Sequence, residues 1–406
     1  MSIFGLMISL SLVFDGVAPS VEAETPRGDL TSRLDAIRTQ ADLPALGIAA
    51  IEDGDVVLLE AVGVRSREDP AVVTVDDRWH LGSCGKALAA TVVARLIARG
   101  TLEWTTTVGD VFGGEIAGLD PAWRDATIAQ LLRHRGGLPE DRAPDPATFA
   151  ALRTSTESLP EQRATLMRGL LVRPPAYPPG TEMAYSNFGY VMVSAMAERL
   201  TGEDWETLCR RLLFEPLGME TAGFGAPGRI EVVDQPRGHL GDAAIPPSPL
   251  ADNPACLTAA GTVHASLKDW ARFLRIHLTS TQDADRRILG GAERRELHRP
   301  EPGAAYAAGW VVGSRPWAGS APDRPGRILM HNGSNGMWFA VAWLAPDQDR
   351  AFMAVTNRGG PEAARACDQA VGLMLELLAK PGPENRPIGD DEDPSPRIVD
   401  DGTRPG

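Results

Sequence analysis

Residues 79–100, WHLGSCGKALAATVVARLIARG, hold the transition on which the predicted fold depends. The first four residues, 79–82, have the aromatic and apolar character of an extended segment. From position 84 to position 98, large apolar residues recur at steps of three and four, which is the period of an α-helix. These residues are Leu88, Val92, Val93, Leu96 and Ile97. Gly100 stands where a helix C-cap is expected, so the stretch predicts a strand that turns into a helix at Ser83.

Apolar strand patterns lie far from this helix on both sides. Residues 46–51 and 56–59 are apolar runs joined by Asp53 and Gly54, a strong β-hairpin signal. Four more short runs, bounded by turn residues, come late in the chain. They cover residues 309–312, 327–330, 338–344 and 351–356. A last helix is predicted over 362–378.

Helix and loop patterns with many Pro and Gly breaks fill residues 105–280. Strands near both chain ends with a helical middle imply an α/β fold. We therefore predict one antiparallel sheet, flanked by helices and built from both ends of the chain, with an inserted, mostly helical lobe over 105–280. Ligand sites commonly lie at such junctions, so a site is expected in the cleft between the two parts.

The first chemical motif lies at the start of the predicted helix, as Ser83, Cys84, Gly85 and Lys86. Positions i and i+3 share a helix face, so the lysine amine can approach the serine hydroxyl. A serine hydroxyl becomes a good nucleophile when a neighbouring base takes its proton, and a desolvated lysine can be that base. The alternative is an N-capping serine followed by a solvated lysine. Lysine occurs only three times in the chain, which makes a chance match uncommon.

Two further motifs follow along the chain. In residues 185–187, Tyr185 can relay protons and the amide of Asn187 can hold a substrate carbonyl, although a buried tyrosine with one hydrogen-bond partner would look the same. Residues 331–334, His-Asn-Gly-Ser, are predicted to follow directly after a strand that ends at Met330. Glycine lets substrate approach the backbone there, but a polar turn between two strands would also fit. Trp338 is a further candidate for contacting substrate.

In this order, the three motifs resemble those of the serine β-lactamase and penicillin-binding-protein superfamily. The class C β-lactamase-like branch fits best, because its second motif is Tyr-x-Asn. Residues 131–139, LLRHRGGLP, also resemble a stretch of that branch, as do Ala260 with Gly261 and residues 269–273. The resemblance covers roughly residues 30–380 and implies a β-lactamase/transpeptidase-like fold.

The resemblance also implies roles for the motif residues. It makes Ser83 the acylated nucleophile, Lys86 its base and Tyr185 the proton shuttle that also helps to activate water. It makes Asn187 the group that orients the substrate. The third motif would supply the remaining binding groups. These are His331, Gly333 and the N–H of Ser334, which would form an oxyanion hole together with the N–H of Ser83.

One departure from the family pattern bears on the substrate. Where β-lactamases usually carry a lysine, this chain has His331, which is mostly neutral at pH 7. We therefore expect a hydrolase that cleaves an ester or amide through an acyl-enzyme on Ser83. A β-lactamase or D-peptidase acting on cell-wall-like substrates is the alternative, and a non-catalytic wall- or ligand-binding protein is an alternative of another class. The expected partner is a small ester, amide, β-lactam or short D-peptide, and the oligomeric state stays open.

Composition excludes several other classes of protein. The net charge of -14 and the pI near 5.0 argue against a nucleic-acid partner. No run of 18 apolar residues is present, so a multi-span membrane protein is not expected. Four cysteines are too few for a disulfide scaffold, although one disulfide among Cys209, Cys256 and Cys367 is possible in an exported chain. Neither histidines nor cysteines show metal-ligand spacing, so we predict no metal and no cofactor.

The two chain ends differ from the middle. Residues 1–23 contain a short apolar stretch and then Val21, Glu22 and Ala23, which is typical of a signal peptide apart from the missing basic residues. A disordered leader or a misplaced start codon is the alternative. We expect a periplasmic or secreted protein with one hydrolase domain over 24–380. Residues 381–406 are rich in proline and acidic residues and are predicted to form a disordered tail.

Overall fold

The computed structural model describes residues 27–138, 146–279, 283–321 and 323–379. The predicted signal peptide at 1–23 and the predicted tail at 381–406 lie outside the described residues, and both stay predictions. Within the described ranges, no helix combines the length and the apolar character that a membrane span requires.

The strands, in chain order, fall into an early group, a middle group and a late group. They are β1 (Ala45–Glu52), β2 (Asp55–Ser66), β3 (Asp69–Val72), β4 (Arg78–His80), β5 (Gly223–Phe224), β6 (Gly238–Leu240), β7 (Ala243–Ile245), β8 (Val263–Ser266), β9 (Val311–Arg315), β10 (Gly326–Ser334), β11 (Phe339–Ala345) and β12 (Arg350–Thr356).

The helices concentrate between β4 and β9. They are α1 (Arg27–Gln40), α2 (Gly85–Ala98), α3 (Val108–Phe112), α4 (Ile128–Leu132), α5 (Pro146–Leu152), α6 (Leu159–Leu171), α7 (Asn187–Thr201), α8 (Trp205–Cys209), α9 (Glu215–Leu217), α10 (Thr258–Gly261), α11 (Leu267–Arg275), α12 (Asp283–Ile288), α13 (Gly291–Leu297) and α14 (Pro361–Leu377).

The large sheet is antiparallel and is assembled from both ends of the chain. In the part that the structure describes, it has seven strands in the order β3-β2-β1-β12-β11-β10-β9. The first and last strands of the chain meet at its centre, where Ile48 pairs with Ala354. The predicted antiparallel sheet built from distant parts of the chain is thereby confirmed.

Strand β1 is apolar and buried up to Ile51, because both faces of the sheet are covered there. Its alternate side chains Leu46, Ile48 and Ala50 pack in one cluster with residues of α1 and α14. Ala49 and Ile51 point the other way, into the larger core that includes α2 and α11. The period of two along β1 therefore divides the molecule into two layers around one sheet.

Helix α2 lies in the middle of the molecule, and its residues from Gly85 to Leu96 are all buried. A helix that is buried on every side belongs to a core rather than to a surface. It contacts α7, α10 and α13, and so connects the sheet layer to the helical lobe. Gly100 has φ +73°, as the predicted C-cap requires.

Two local predictions differ from the structure. The prediction that a strand ends at Met330 is wrong, because β10 continues through Ser334, where His331 pairs with Ala342 and Ser334 with Phe339 on β11. The ladder hydrogen bonds to β11 keep these polar residues extended. The possible disulfide is also not formed: Cys84, Cys209, Cys256 and Cys367 are all buried free thiols.

Candidate active site

Ser83 lies in a single 3-10 turn, Gly82–Cys84, between β4 and α2, and is 9% exposed. Gly82 has φ +51°, and a Cβ added to it would lie 2.5 Å from the backbone nitrogen of Ser334. A Cβ on Gly333 would likewise lie 2.5 Å from the nitrogen of Ser83. Two glycines therefore allow the turn that carries Ser83 to pack directly on the end of β10.

Lys86 lies in the first turn of α2 and is completely buried. Its Nζ is 3.0 Å from the Oγ of Ser83 and 2.7 Å from the Oδ1 of Asn187. A third oxygen, the carbonyl of Ala260, is also 2.7 Å away. In the neutral amine, two N–H groups can serve the Asn187 and Ala260 oxygens, which leaves the lone pair facing the hydroxyl of Ser83.

Burial favours the neutral form of this amine, which also lies against two aromatic rings. The Nζ of Lys86 lies 4.8 Å from the centre of the Tyr185 ring and 5.6 Å from that of the Tyr190 ring. Burial lowers the pKa of Lys86 well below its usual value, because the charged form loses its hydration. A neutral amine in contact with a serine hydroxyl can act as a general base near pH 7.

Tyr185 is half-buried and immediately precedes α7, whose N-cap is Ser186. The sequence motifs did not point to His134, whose ring packs against that of Tyr185. The Nδ1 of His134 accepts a hydrogen bond from the N–H of Ser186 at 3.1 Å, and its carbonyl accepts one from Ala184 at 2.9 Å. Its ring centre lies 4.3 Å from that of Tyr185. His134 has φ +57°, an uncommon backbone conformation that these contacts hold in place.

The surroundings of His331 favour its neutral form. Its pKa is lowered to about 3, mainly by burial and also by the neighbouring Lys86, while a hydrogen bond to the carbonyl of Asn332 partly opposes both effects. That bond, 2.6 Å from Nδ1, requires a proton on Nδ1, because a carbonyl only accepts. Nε2 then accepts from the hydroxyl of Tyr306 at 3.0 Å. Both ring nitrogens are therefore engaged within the protein, and Tyr306 is a second residue that sequence reasoning missed.

Apart from His331, the third motif offers a substrate backbone groups rather than side chains. Ser334 donates its hydroxyl hydrogen to the carbonyl of Trp338 at 2.6 Å, so its side chain is held in the turn after β10. Trp338 itself is 1% exposed and packs edge-on against Trp79, with ring centres 6.4 Å apart. The expectation that Trp338 contacts substrate is thus wrong, because it is core. Across the four described ranges, no group of three or more His, Cys, Asp or Glu side chains could hold a metal ion.

The chain is similar in sequence to known proteins over most of its length. The model of the Beta-lactamase family matches residues 30–375. Penicillin-binding protein 4 of Amycolatopsis lactamdurans is 28% identical over 373 residues, which cover 88% of this chain and 93% of that protein. Esterase EstB of Burkholderia gladioli is 26% identical over 347 residues, which cover 76% of this chain and 87% of that protein.

A solved structure gives the same fold. The crystal structure of the D-alanine carboxypeptidase AmpC from Burkholderia cenocepacia superposes with a TM-score of 0.65 at 21% identity, over 86% of this chain and 98% of that one. The β-lactamase/transpeptidase-like fold expected from the motifs is therefore confirmed. Since the family match runs through most of the sequence, the chain belongs to the Beta-lactamase family of serine hydrolases.

Proposed function

We propose that this chain cleaves a small ester or amide through an acyl-enzyme on Ser83. One observation carries the proposal: the buried amine of Lys86 lies 3.0 Å from the Oγ of Ser83, in an environment that favours its neutral form. Distance and protonation together meet the requirements of a general base that activates a serine nucleophile.

The proposed reaction has two halves. The Oγ of Ser83 forms a bond to the substrate carbonyl carbon while its proton passes to the Nζ of Lys86. The carbonyl oxygen, now negative, accepts hydrogen bonds from the backbone N–H groups of Ser83 and Ser334. The tetrahedral adduct collapses, and the leaving group departs with a proton delivered through Tyr185. Water then attacks the acyl-enzyme and passes its proton through Tyr185 to the neutral amine of Lys86. That proton moves on to the Oγ of Ser83 as the acyl C–O bond breaks, which regenerates Ser83 and releases the acid.

The neutral state of His331 favours uncharged substrates. A substrate carboxylate would find no cation at this position, because both nitrogens of His331 are occupied by Tyr306 and Asn332. The similarity to an esterase supports an ester as substrate. The similarity to a penicillin-binding protein supports the alternative, a cell-wall-like D-peptide or a β-lactam. We expect slow turnover of β-lactams.

The test compares Ser83→Ala with Ser314→Ala, a matched control on the exposed part of β9. The wild type and the control should hydrolyse short-chain p-nitrophenyl esters and should be labelled by a fluorophosphonate. Ser83→Ala should do neither. Labelling retained in Ser83→Ala would remove Ser83 from its role, while saturable binding without any adduct in the wild type would favour the non-catalytic alternative. Faster turnover of a chromogenic cephalosporin than of the esters would favour the β-lactamase alternative.

We also propose that the protein acts in the periplasm or outside the cell. The support is the apolar stretch in residues 1–23, followed by small residues suited to cleavage. Fractionation of cells that express the full chain, with mass measurement of the mature N-terminus, tests the proposal. An uncleaved chain found only in the cytoplasm would contradict it.

A further inference from the structure

A buried histidine and carboxylate lie behind the turn that carries Ser83. His80 is the last residue of β4, and its Nε2 lies 2.8 Å from the Oδ1 of Asp252, with the two side chains 0% and 5% exposed. Nε2 makes no hydrogen bond of good geometry, so its 2.8 Å approach to the carboxylate is a close electrostatic contact, which a proton on Nε2 favours. Nδ1 is then free to accept, and the N–H of Gly82 lies 3.2 Å from it as the donor.

The same carboxylate oxygen holds a second segment of chain. The Nδ2 of Asn335 donates to the Oδ1 of Asp252 at 3.2 Å. Asn335 directly follows Ser334 at the end of β10, just as Ser83 directly follows Gly82. One oxygen atom therefore ties together the two backbone segments that carry the N–H groups proposed for the oxyanion hole.

Asp252 is itself fixed by its surroundings. Its backbone carbonyl accepts from the guanidinium of Arg153 at 2.7 Å. The next residue, Asn253, donates its backbone N–H to the Oδ1 of Asp252 at 2.6 Å and its side chain to the carbonyl of Gly261 at 3.0 Å. Gly261 in turn packs against the backbone of Gly82, where an added Cβ would lie 3.1 Å from the Gly82 carbonyl carbon. The carboxylate is thus anchored to the helical lobe and to the nucleophile turn.

We propose that Asp252, acting through His80 and Asn335, is a positioning residue that sets the separation of the Ser83 and Ser334 N–H groups. The inference rests on the proposed acyl-enzyme chemistry and adds the groups that hold its oxyanion hole in shape. His80 and Asp252 do not touch substrate in this scheme. Their effect therefore falls on the transition state, where the oxyanion forms, and not on substrate binding.

Two substitutions of His80 separate its two contacts. His80→Gln keeps a donor directed toward Asp252 and loses the acceptor for the N–H of Gly82. His80→Asn keeps an acceptor at the position of Nδ1 and loses the contact to Asp252. We expect His80→Gln to lower kcat on a short-chain p-nitrophenyl ester about tenfold to hundredfold, with KM changed less than about threefold. We expect a comparable loss of kcat in His80→Asn, because the link from Asp252 to the turn that carries Ser83 is broken there too.

Two further measurements distinguish a positioning role from a purely structural one. They are the affinity for a transition-state analogue and the kcat of a third variant. The inhibition constant of a phenylboronic acid, whose adduct with Ser83 places an oxygen in the oxyanion hole, should rise in parallel with the loss of kcat. Asn335→Asp is isosteric, keeps the acceptor for the N–H of Met337 and sets a second carboxylate against Asp252. It should lower kcat in the same way, and it serves if the buried His80 variants fail to fold.

The outcomes distinguish this inference from the proposed function. If the wild type forms an adduct on Ser83 but the His80 and Asn335 variants keep wild-type kcat and boronate affinity, only the positioning role is overturned. The same holds if kcat falls only in proportion to the fraction of protein unfolded, or if KM rises in place of the fall in kcat. If the wild type forms no adduct on Ser83, the proposed function and this inference fall together.

Discussion

Replacement of Lys86 by methionine should abolish most of the acylation of Ser83 while the fold is kept. Methionine has a similar length and retains contact with the rings of Tyr185 and Tyr190, but it cannot accept the serine proton. General bases contribute about 10²- to 10⁴-fold, so kcat/KM on a p-nitrophenyl ester should fall by that factor. At 1.36 kcal/mol for each tenfold change, the loss is about 2.7 to 5.4 kcal/mol of transition-state stabilisation.

The pH dependence of acylation in the wild type also tests the claim that the neutral amine of Lys86 is the base. A solvated lysine has a pKa of about 10.4, so roughly one molecule in a thousand would carry the free base at pH 7.4. Burial lowers the pKa of Lys86 well below this value. The neutral fraction at pH 7.4 is then larger than that of a solvated lysine. Acylation should therefore reach its plateau well below pH 10 and should fall as the pH drops through the lowered pKa.

The assay is the rate of fluorophosphonate labelling, together with kcat/KM, measured from pH 5 to 10 and corrected for hydrolysis without enzyme. Lys268→Met is the matched control, because Lys268 is exposed and paired with Asp76 on the surface. It should keep wild-type rates. A wild-type rate that climbs about tenfold per pH unit between 8 and 10 would refute the claim that burial frees the base. Wild-type labelling in Lys86→Met would refute the claim that Lys86 is the base.

Three further predictions follow from named contacts. Gly82→Ala places a Cβ against the nitrogen of Ser334 at φ +51°, so it should lower both the melting temperature and kcat. Gly202→Ala, at φ +73° in open space, should lower only the melting temperature. His331→Lys should raise kcat/KM about tenfold for a carboxylate-bearing ester relative to its neutral analogue, and no change would count against the electrostatic argument. Burial lowers the pKa of His277 and of His331 to about 3. Below about pH 6.5, only the unfolded state then takes up protons on these two histidines. For each histidine, the free energy of unfolding should therefore fall by about 1.4 kcal/mol for each pH unit from about pH 6 down to pH 4. Urea titrations that show no such slope would contradict this prediction.

Helices and strands with a clear apolar period could be predicted from the sequence. Very short strands, and helices held in place mainly by tertiary contacts, could not. The hairpin at Asp53 and Gly54 was predictable because both positions need positive φ, which the structure shows at +52° and +89°. Helix α2 was predictable from its three- and four-residue apolar steps. Helix α1 was not, because most of its residues are polar and its place is fixed by two leucines, Leu30 and Leu34, that pack under the sheet. Strands of two to four residues such as β5 and β8 show no period at all.

The residues of the site likewise include some that local sequence patterns predict and some that they do not. Ser83 and Lys86 are three residues apart, so a helix alone brings them together, and the sequence spacing was informative. His134 and Tyr306 reach the site only through the tertiary fold, so no local pattern pointed to their roles. The strand that carries His331 was predicted too short because its polar residues resemble a turn. Pairing with β11, which comes later in the chain, decides their conformation.

The central pairing of β1 with β12 has a consequence for synthesis of the protein. About 300 residues separate the two strands, so β1 leaves the ribosome long before its neighbour exists. At typical translation rates the wait is roughly 15 to 60 seconds, during which an unpaired apolar strand edge stays open to other nascent chains. Chains that terminate before residue 350 never close that edge. Ribosome stalling or premature stop codons between Asn335 and Arg350 should therefore yield aggregates, even though every group proposed for the reaction has already been made.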